Sequence, residues 1–363
     1  MRPAVARLTM TVARTSGRRE MAGTITGRRG ALAALAATLG LLLAGPAQAL
    51  DKVTFGTNWK AQAEHGGYYQ AVADGTYAKY GLDVTIRQGG PQVNHAQLLA
   101  AGKIDFNMGG NLFEAFNFVQ GDVPMVTVAA IFQKEPQVLL AHPDTGVKDF
   151  ADLKGKTLLI GNDGRQTFWL WLKQVYGLSD DQLKPYTFNA APFLADKNAV
   201  QQGYVTSEPF AIQQEGGFKP VVLLMADAGY DTYSTTIETS WKLVEQNPDL
   251  VQRFVNASIE GWYNYLYGDN QAANAAIKRD NPEITDAQIA FSIATIKEYG
   301  IVDSGDARTL GIGAMTKERW HSFFEKAAGW GIYPAGLALD RAFTLKFVNQ
   351  KHGLELRKQL TGQ

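Results

Sequence analysis

The stretch Phe55–Pro91, FGTNWKAQAEHGGYYQAVADGTYAKYGLDVTIRQGGP, reads as strand, polar loop, helix, turn and second strand. Lys52–Thr57 alternates apolar and polar residues, as a half-buried strand does. His65–Tyr77 is predicted helical, with Tyr68, Ala71 and Val72 on one side. Gly75 to Gly81 turns the chain into the strand Leu82–Arg87. The loop after the first strand carries Asn58, Trp59, Glu64 and His65. An indole beside amide, carboxylate and imidazole groups suits the grip of a flat, polar ring. In open α/β sheets ligands bind beyond the carboxyl ends of the strands, which is where this loop lies.

Beyond Gly89-Gly90-Pro91 the pattern continues. A helix is predicted over Val93–Ala101, a strand over Ile104–Met108, a helix over Leu112–Gln120 and a strand over Pro124–Ile131. This alternation calls for a mostly parallel sheet with helices on both faces. The strand Gln137–Ala141 leaves that sheet, and a second unit follows. It holds the strand Thr157–Gly161, the loop Asn162–Gln166 and the aromatic helix Thr167–Tyr176. A strand at Tyr186–Asn189, a helix at Asp196–Gln201 and strands at Gly203–Thr206 and Val221–Met225 complete it. Tyr230–Ile237 crosses back, and from Ser240 the chain is mainly helical. The expected architecture is α/β with two lobes: residues 51–138 plus 232–363 form lobe one, and 139–231 form an inserted lobe two. Two crossings make a two-strand hinge, with the ligand cleft between the lobes.

Residues 1–49 read as a secretory signal peptide, with Met21 as an alternative start. Arg28-Arg29 precede an apolar run, Ala31–Ala44, and an A-x-A cleavage site at Ala47-Gln48-Ala49. That run is short of the ~20 residues a membrane span needs, though a retained anchor is the alternative. Both the general and the twin-arginine export routes fit, and a periplasmic location is expected. The whole chain has 35 basic and 35 acidic residues. The first 49 hold seven arginines and one acid, Glu20, so the remainder has 28 basic and 34 acidic residues, a net charge of −6. A mildly acidic domain offers no footing for nucleic acid. With no cysteine, stability has to come from the core.

Trp59 sits just past a strand's carboxyl end and is placed in the cleft, with a core tryptophan as the alternative. His65 opens a helix, whose positive end disfavours an added proton, so it is expected to be neutral. Glu64 also reads as a first-turn acid, and of Tyr68 and Tyr69 the former is expected to face the cleft. Asn107 and Asn111 flank Gly109-Gly110, where the backbone could approach a ligand. That spacing matches neither a dinucleotide loop nor a P-loop. In lobe two, Asn162, Gln166 and Thr167 open a helix, and Glu208 ends a strand where it could accept from an amino or ring N–H group. The five histidines, His65, His95, His142, His321 and His352, show no metal spacing, and no G-x-S-x-G elbow occurs. No catalytic residue, metal or cofactor is assigned.

Four motifs carry a resemblance: NWxxxxEHGGYYQAxxxGxYxKYGLDV from Asn58, LLAAGKIDF from Leu98, DLKGKTL from Asp152 and GYVTSEPF from Gly203. They resemble the NMT1/THI5-like solute-binding proteins of ABC importers. The resemblance implies a type II periplasmic binding protein that works as a monomer with a permease and its ATPase. It is similar to the branch for thiamine-pyrimidine precursors, with riboflavin binders close by and sulfonate and nitrate binders in the wider group. A ring stacked on Trp59 is implied, with polar groups from both lobes. The family also holds fungal pyrimidine synthases, whose cofactor lysine and consumed histidine align with Gly109 and Phe113 here. Their cysteine-rich iron motif is absent, so the resemblance implies binding rather than catalysis.

Overall fold

The computed structural model describes residues 49–90 and 93–362. The expected signal peptide, apart from Ala49, lies outside the described residues, as does Pro91. Among the described residues no helix is long and apolar enough to cross a membrane.

Two five-stranded sheets organise the chain. The first has the order β2-β1-β3-β10-β4, from β1 (Asp51–Gly56), β2 (Leu82–Arg87), β3 (Phe106–Asn111), β4 (Met125–Phe132) and β10 (Ser234–Ser240). The second has the order β7-β6-β8-β5-β9, from β5 (Gln137–Ala141), β6 (Thr157–Ile160), β7 (Leu183–Pro185), β8 (Ala199–Tyr204) and β9 (Val221–Leu224). β4 (MVTVAAIF) and β5 (QVLLA) are buried along their whole length, as their unbroken apolar runs require. Each sheet is mixed rather than mostly parallel. β10 runs antiparallel to β3 and β4, and β5 runs antiparallel to β8 and β9.

The chain passes between sheets twice, between Phe132 and Gln137 and again between Leu224 and Ser234. Arg319 braces both passages: Nη2 donates to the carbonyls of Gln133 at 2.6 Å, Asp231 at 3.3 Å and Thr232 at 3.4 Å. Its guanidinium also lies 4.0 Å from the centroid of the Tyr233 ring.

The helices named below are α1 (Gly66–Ala73), α2 (His95–Ala100), α3 (Leu112–Gln120), α4 (Asn162–Gln166), α5 (Phe168–Tyr176), α6 (Glu208–Gly216), α7 (Pro248–Tyr267), α8 (Asp286–Glu298) and α9 (Lys317–Gly329). α7 starts where the Asn247 side chain accepts from Leu250 N at 3.2 Å and Pro248 fills the first turn. Its buried residues Val251, Phe254, Val255, Ser258, Trp262 and Tyr265 recur every three or four positions and form the face packed under sheet one. The aromatic residues Trp262, Tyr263 and Tyr265 are therefore core.

Three local expectations change. The helix predicted over His65–Tyr77 breaks at Gly75, which takes φ 76°. The Asp74 carboxylate there accepts from Thr76 N at 2.9 Å and Thr76 Oγ1 at 2.6 Å, which starts a new short helix. The strand expected at Tyr186–Asn189 lies instead at Leu183–Pro185. Asp196–Gln201 is not helical: Asp196 turns the chain by accepting from Asn198 N at 2.8 Å, and β8 begins at Ala199. Pairing with β5 on one side and β6 on the other overrides the local helical pattern there.

Candidate functional site

A cleft of about 490 Å³ opens between the two sheets, lined from both sides. From the first half come Asn58, Trp59, Gln62, Asn107, Glu114 and Asn117, with part of α2 at one end. From the second come Gln137, Asn162, Asp163, Arg165, Gln166, Thr167, Tyr186, Gln202, Tyr204 and Glu208. Seven of the ten residues picked from sequence therefore line it: Asn58, Trp59, Asn107, Asn162, Gln166, Thr167 and Glu208.

Three do not. Tyr68 is in the core, its ring 4.3 Å from Phe55 and edge-on to Trp262 at 5.9 Å. That side of the helix meets α7, so the cleft-facing side is left to the loop before it. Asn111 caps α3, its Oδ1 accepting from Phe113 N at 3.1 Å and from the Tyr230 hydroxyl at 3.3 Å. His65 is fully buried one layer behind the cleft, with Nε2 3.3 Å from Asn58 Oδ1. It orients Asn58. Burial, and secondarily the charge of His95, push its pKa down to about 3, so the imidazole is neutral, as its place at a helix start predicts.

Trp59 is half-buried on a fixed loop. Its carbonyl accepts from Gly89 N at 3.0 Å and Thr57 Oγ1 at 3.1 Å, while Ala61 N donates to Gln88 Oε1 at 3.0 Å. A Cβ on Gly89 would overlap the Thr57 carbonyl, so glycine is what lets the two strand ends come this close. The Trp59 ring faces Tyr186 from the other lobe, centroids 6.3 Å apart and planes 10° apart. Phe188 meets the Trp59 edge at 5.5 Å and 75°. Phe188 sits at φ 62°, a strained backbone for an aromatic residue, and Lys60 Nζ caps its ring at 4.8 Å.

Amide side chains are the commonest polar groups of the lining, but the carboxyls Glu114, Asp163 and Glu208 set its charge, with further carboxyls buried behind it. Glu208 accepts from Tyr204 N at 2.8 Å and the Tyr186 hydroxyl at 3.3 Å, and burial raises its pKa. Glu64 is fully buried and takes the Thr206 hydroxyl, a direct link between the lobes. α8 strengthens that link: Ser292 Oγ donates to Thr206 O at 2.6 Å, and Gln288 Nε2 to Ser207 O at 3.1 Å. Glu64 is thus an interlobe contact rather than a simple helix-start acid. Burial lifts it to about 7 and Glu114 and Glu135 to about 8, with neighbouring carboxylates adding to all three, and the protein crowding the cleft lifts Asp163 to about 6 although its side chain is open to the cleft.

These shifts set a pH dependence. A carboxyl whose folded pKa lies above its unfolded value costs stability as it ionises, because the unfolded chain gives up its proton first. From about pH 4.5, where the unfolded carboxyls ionise, to about 8, the ligand-free protein should therefore lose stability, the loss ending as Glu64, Glu114 and Glu135 pass through values of about 7 to 8. The neutral His65 acts in a lower window: its contribution is present above about pH 6.5 and lost toward about 3. Thermal unfolding of the apo protein across that upper range checks this; a melting temperature that is flat or rises would contradict it.

Tyr186, Glu114, Tyr204 and Gln62 line the cleft but escaped the sequence reading. Tyr186 directly follows β7, so the carboxyl-end rule finds it once that strand is placed at Leu183–Pro185. Glu114 lies in the first turn of α3 and its Oε2 accepts from Gly110 N at 2.8 Å, which from sequence reads as ordinary capping. The Gly109-Gly110 pair also has a different use from the one expected: a Cβ on Gly109 would overlap Glu238 and Thr236 of β10. The glycine makes room for a neighbouring side chain.

Two mixed sheets, a double crossing and a polar cleft between them define the periplasmic binding protein fold. The alkanesulfonate-binding protein SsuA from Xanthomonas axonopodis pv. citri shares it, with a TM-score of 0.56 at 15% identity over 81% of this chain and 98% of that one. The NMT1/THI5-like family model matches residues 62–273, and the chain belongs to that family. The riboflavin-binding protein RibY of Chloroflexus aurantiacus is 24% identical over 307 residues, 82% of this chain and 86% of its own length. The 4-amino-5-hydroxymethyl-2-methylpyrimidine phosphate synthase of Schizosaccharomyces pombe is 26% identical over 116 residues, 32% of this chain and 33% of its own.

Proposed function

We propose that this protein is the exported solute receptor of an ABC importer, capturing a flat, donor-rich nitrogen heterocycle such as a thiamine pyrimidine precursor. The observation that carries this reading is the parallel pair of Trp59 and Tyr186, one ring from each lobe. A ring held between two others needs planes about 7 Å apart, twice a carbon–carbon contact. The 6.3 Å centroid separation is a little short of that, so a small opening admits a planar solute and stacks it on both faces. Asn58, Asn162, Gln166 and Thr167 supply hydrogen bonds around the ring, and Glu208 is a further acceptor at its edge. The moving bodies meet at the two crossings: residues 51–132 with 234–363 form one, and residues 137–224 the other. Closure on the solute presents the docking face to a permease and its ATPase. The protein acts as a monomer in the periplasm, with residues 1–49 as its export signal.

Riboflavin is the second solute, favoured by the similarity to RibY over most of both chains. A sulfonate or nitrate fits less well, because Asp163, Glu114 and Glu208 face the cleft against Arg165. The residues present speak against a synthase. Gly109 offers no side chain for a cofactor, and Phe113 is locked among Tyr230, Phe323 and Tyr333. Among the described residues no cluster of His, Asp and Glu suits an iron.

Mass spectrometry of solute retained on purification tests the reading. Thermal shift against 4-amino-5-hydroxymethyl-2-methylpyrimidine, riboflavin, an alkanesulfonate and nitrate supplies the comparison. A heterocycle at 100 times its Kd adds about 2.7 kcal/mol and raises the melting temperature. Stabilisation by the sulfonate or nitrate alone would overturn it.

A further inference from the structure

The inner end of the cleft holds a group of carboxyls that ring stacking leaves unused. Asn107 of β3 donates through Nδ2 to Glu238 Oε2 at 2.8 Å and to Glu114 Oε1 at 3.3 Å. Asp163, from the other lobe and exposed into the cleft, approaches the same place. A Cβ on Gly110 would lie 3.3 Å from Asp163 Oδ2 and 3.8 Å from Glu114 Oε2. Asn107 and Glu238 are 1% and 0% exposed, and Asn107 Oδ1 and Glu238 Oε1 have no hydrogen-bond partner. The group is thus acceptor-rich, with two buried oxygens unspent. Arg165, the cation of the cleft lining, turns its Nε to the Ile160 carbonyl at 3.2 Å.

We propose that Glu114 and Asp163, backed across Asn107 by the buried Glu238, form a subsite for a positively charged nitrogen group of the solute, a protonated amine or an amidinium. The inference rests on the Trp59–Tyr186 reading and narrows it: the solute is a cationic heterocycle, not a neutral flavin. Neighbouring carboxyls cannot all ionise when Glu238 is fully buried and Glu114 half-buried behind the exposed Asp163, so the empty site keeps protons that a cation displaces. A nitrogen cation matches the geometry, since its N–H groups reach separate acceptors. A metal ion does not, because no set of three or more of these side chains converges to hold one among the described residues. The other ionisable groups bearing on the cluster are Glu135, Tyr204, Tyr230 and Arg165, so its field stays net negative.

The test is calorimetry with an isosteric pair: 4-amino-5-aminomethyl-2-methylpyrimidine, charged on its arm, and 4-amino-5-hydroxymethyl-2-methylpyrimidine, which is not. The charged compound should bind about 10-fold tighter, as a charge-assisted hydrogen bond allows. Its affinity should rise from about pH 6 to about 8, and repeats in buffers of different ionisation enthalpy should show protons released. Glu114→Gln and Asp163→Asn, each checked for folding by its melting temperature, should bring the ratio between the two compounds toward one. Equal binding of the pair, tighter binding of riboflavin than of either, or stabilisation by Ca²⁺ or Mn²⁺ alone would overturn the subsite while leaving the stacking reading intact. Failure of all three heterocycles to bind would overturn the stacking reading, and this one with it.

Discussion

Trp59→Ala should weaken heterocycle binding by about 10- to 100-fold in calorimetry. Truncating an aromatic that stacks on a planar base costs about 1–3 kcal/mol, and each 1.4 kcal/mol is tenfold. The scaffold survives the change, since the loop is held by the Trp59 backbone carbonyl, which accepts from Gly89 and Thr57. Trp59→Phe keeps a ring and should lose far less. Tyr186→Ala should match Trp59→Ala, because the two rings form opposite walls of one slot. Tyr186→Phe separates ring from hydroxyl: it retains stacking and frees the Glu208 carboxyl that Tyr186 holds at 3.3 Å. Affinity unchanged in Trp59→Ala would remove this residue from the site and leave the ring pair as a contact between empty lobes.

Gly67→Ala should lower the melting temperature by about 5–10 °C, corresponding to ~2–4 kcal/mol of overpacking. α1 and α7 cross so closely that a Cβ on Gly67 would overlap the Trp262 ring. A Cβ on Gly66 would overlap Tyr265, and one on Gly261 would overlap the Gly67 carbonyl. Trp262 and Tyr265 are fully buried and have nowhere to yield. The loop bearing Trp59 leads directly into α1, so affinity should fall together with stability. Gly329→Ala is the control: its Cβ meets nothing within 4 Å, and in a helix alanine is the better residue. Equal melting temperatures for Gly67→Ala and the wild type would mean the helices slide apart at little cost.

Much of this was readable from the chain alone, for identifiable reasons. Trp59 and Glu208 follow strands, and strand ends point to the cleft, so position alone located them. Thr316 and Thr285 stand before helical runs, where threonine caps, and their side chains accept from Arg319 N and Gln288 N. What failed depended on distant partners. Tyr68 looked cleft-facing until α7, nearly two hundred residues on, covered it. Asn111 stands where a ligand group would, but the Tyr230 hydroxyl and Phe113 N use its oxygen. The carboxyl cluster was invisible because Glu114, Asp163 and Glu238 come from three separate elements. HGGYY was read for its imidazole, while its glycines set the packing of two helices.

The place of β10 fixes the order in which the molecule can assemble. Sheet two is drawn from one continuous span, Gln137 to Leu224, so it can complete while the rest of the chain is still being made. Sheet one cannot. Its β3 and β4 pair not with each other but with β10, which sets Asn111 opposite Ser234. Until that late strand threads between them, both expose unpaired edges to any passing chain. Contacts of such long sequence separation form slowly. The sheet behind Trp59 therefore depends on a strand made more than a hundred residues after it, and it is complete only once β10 is in place.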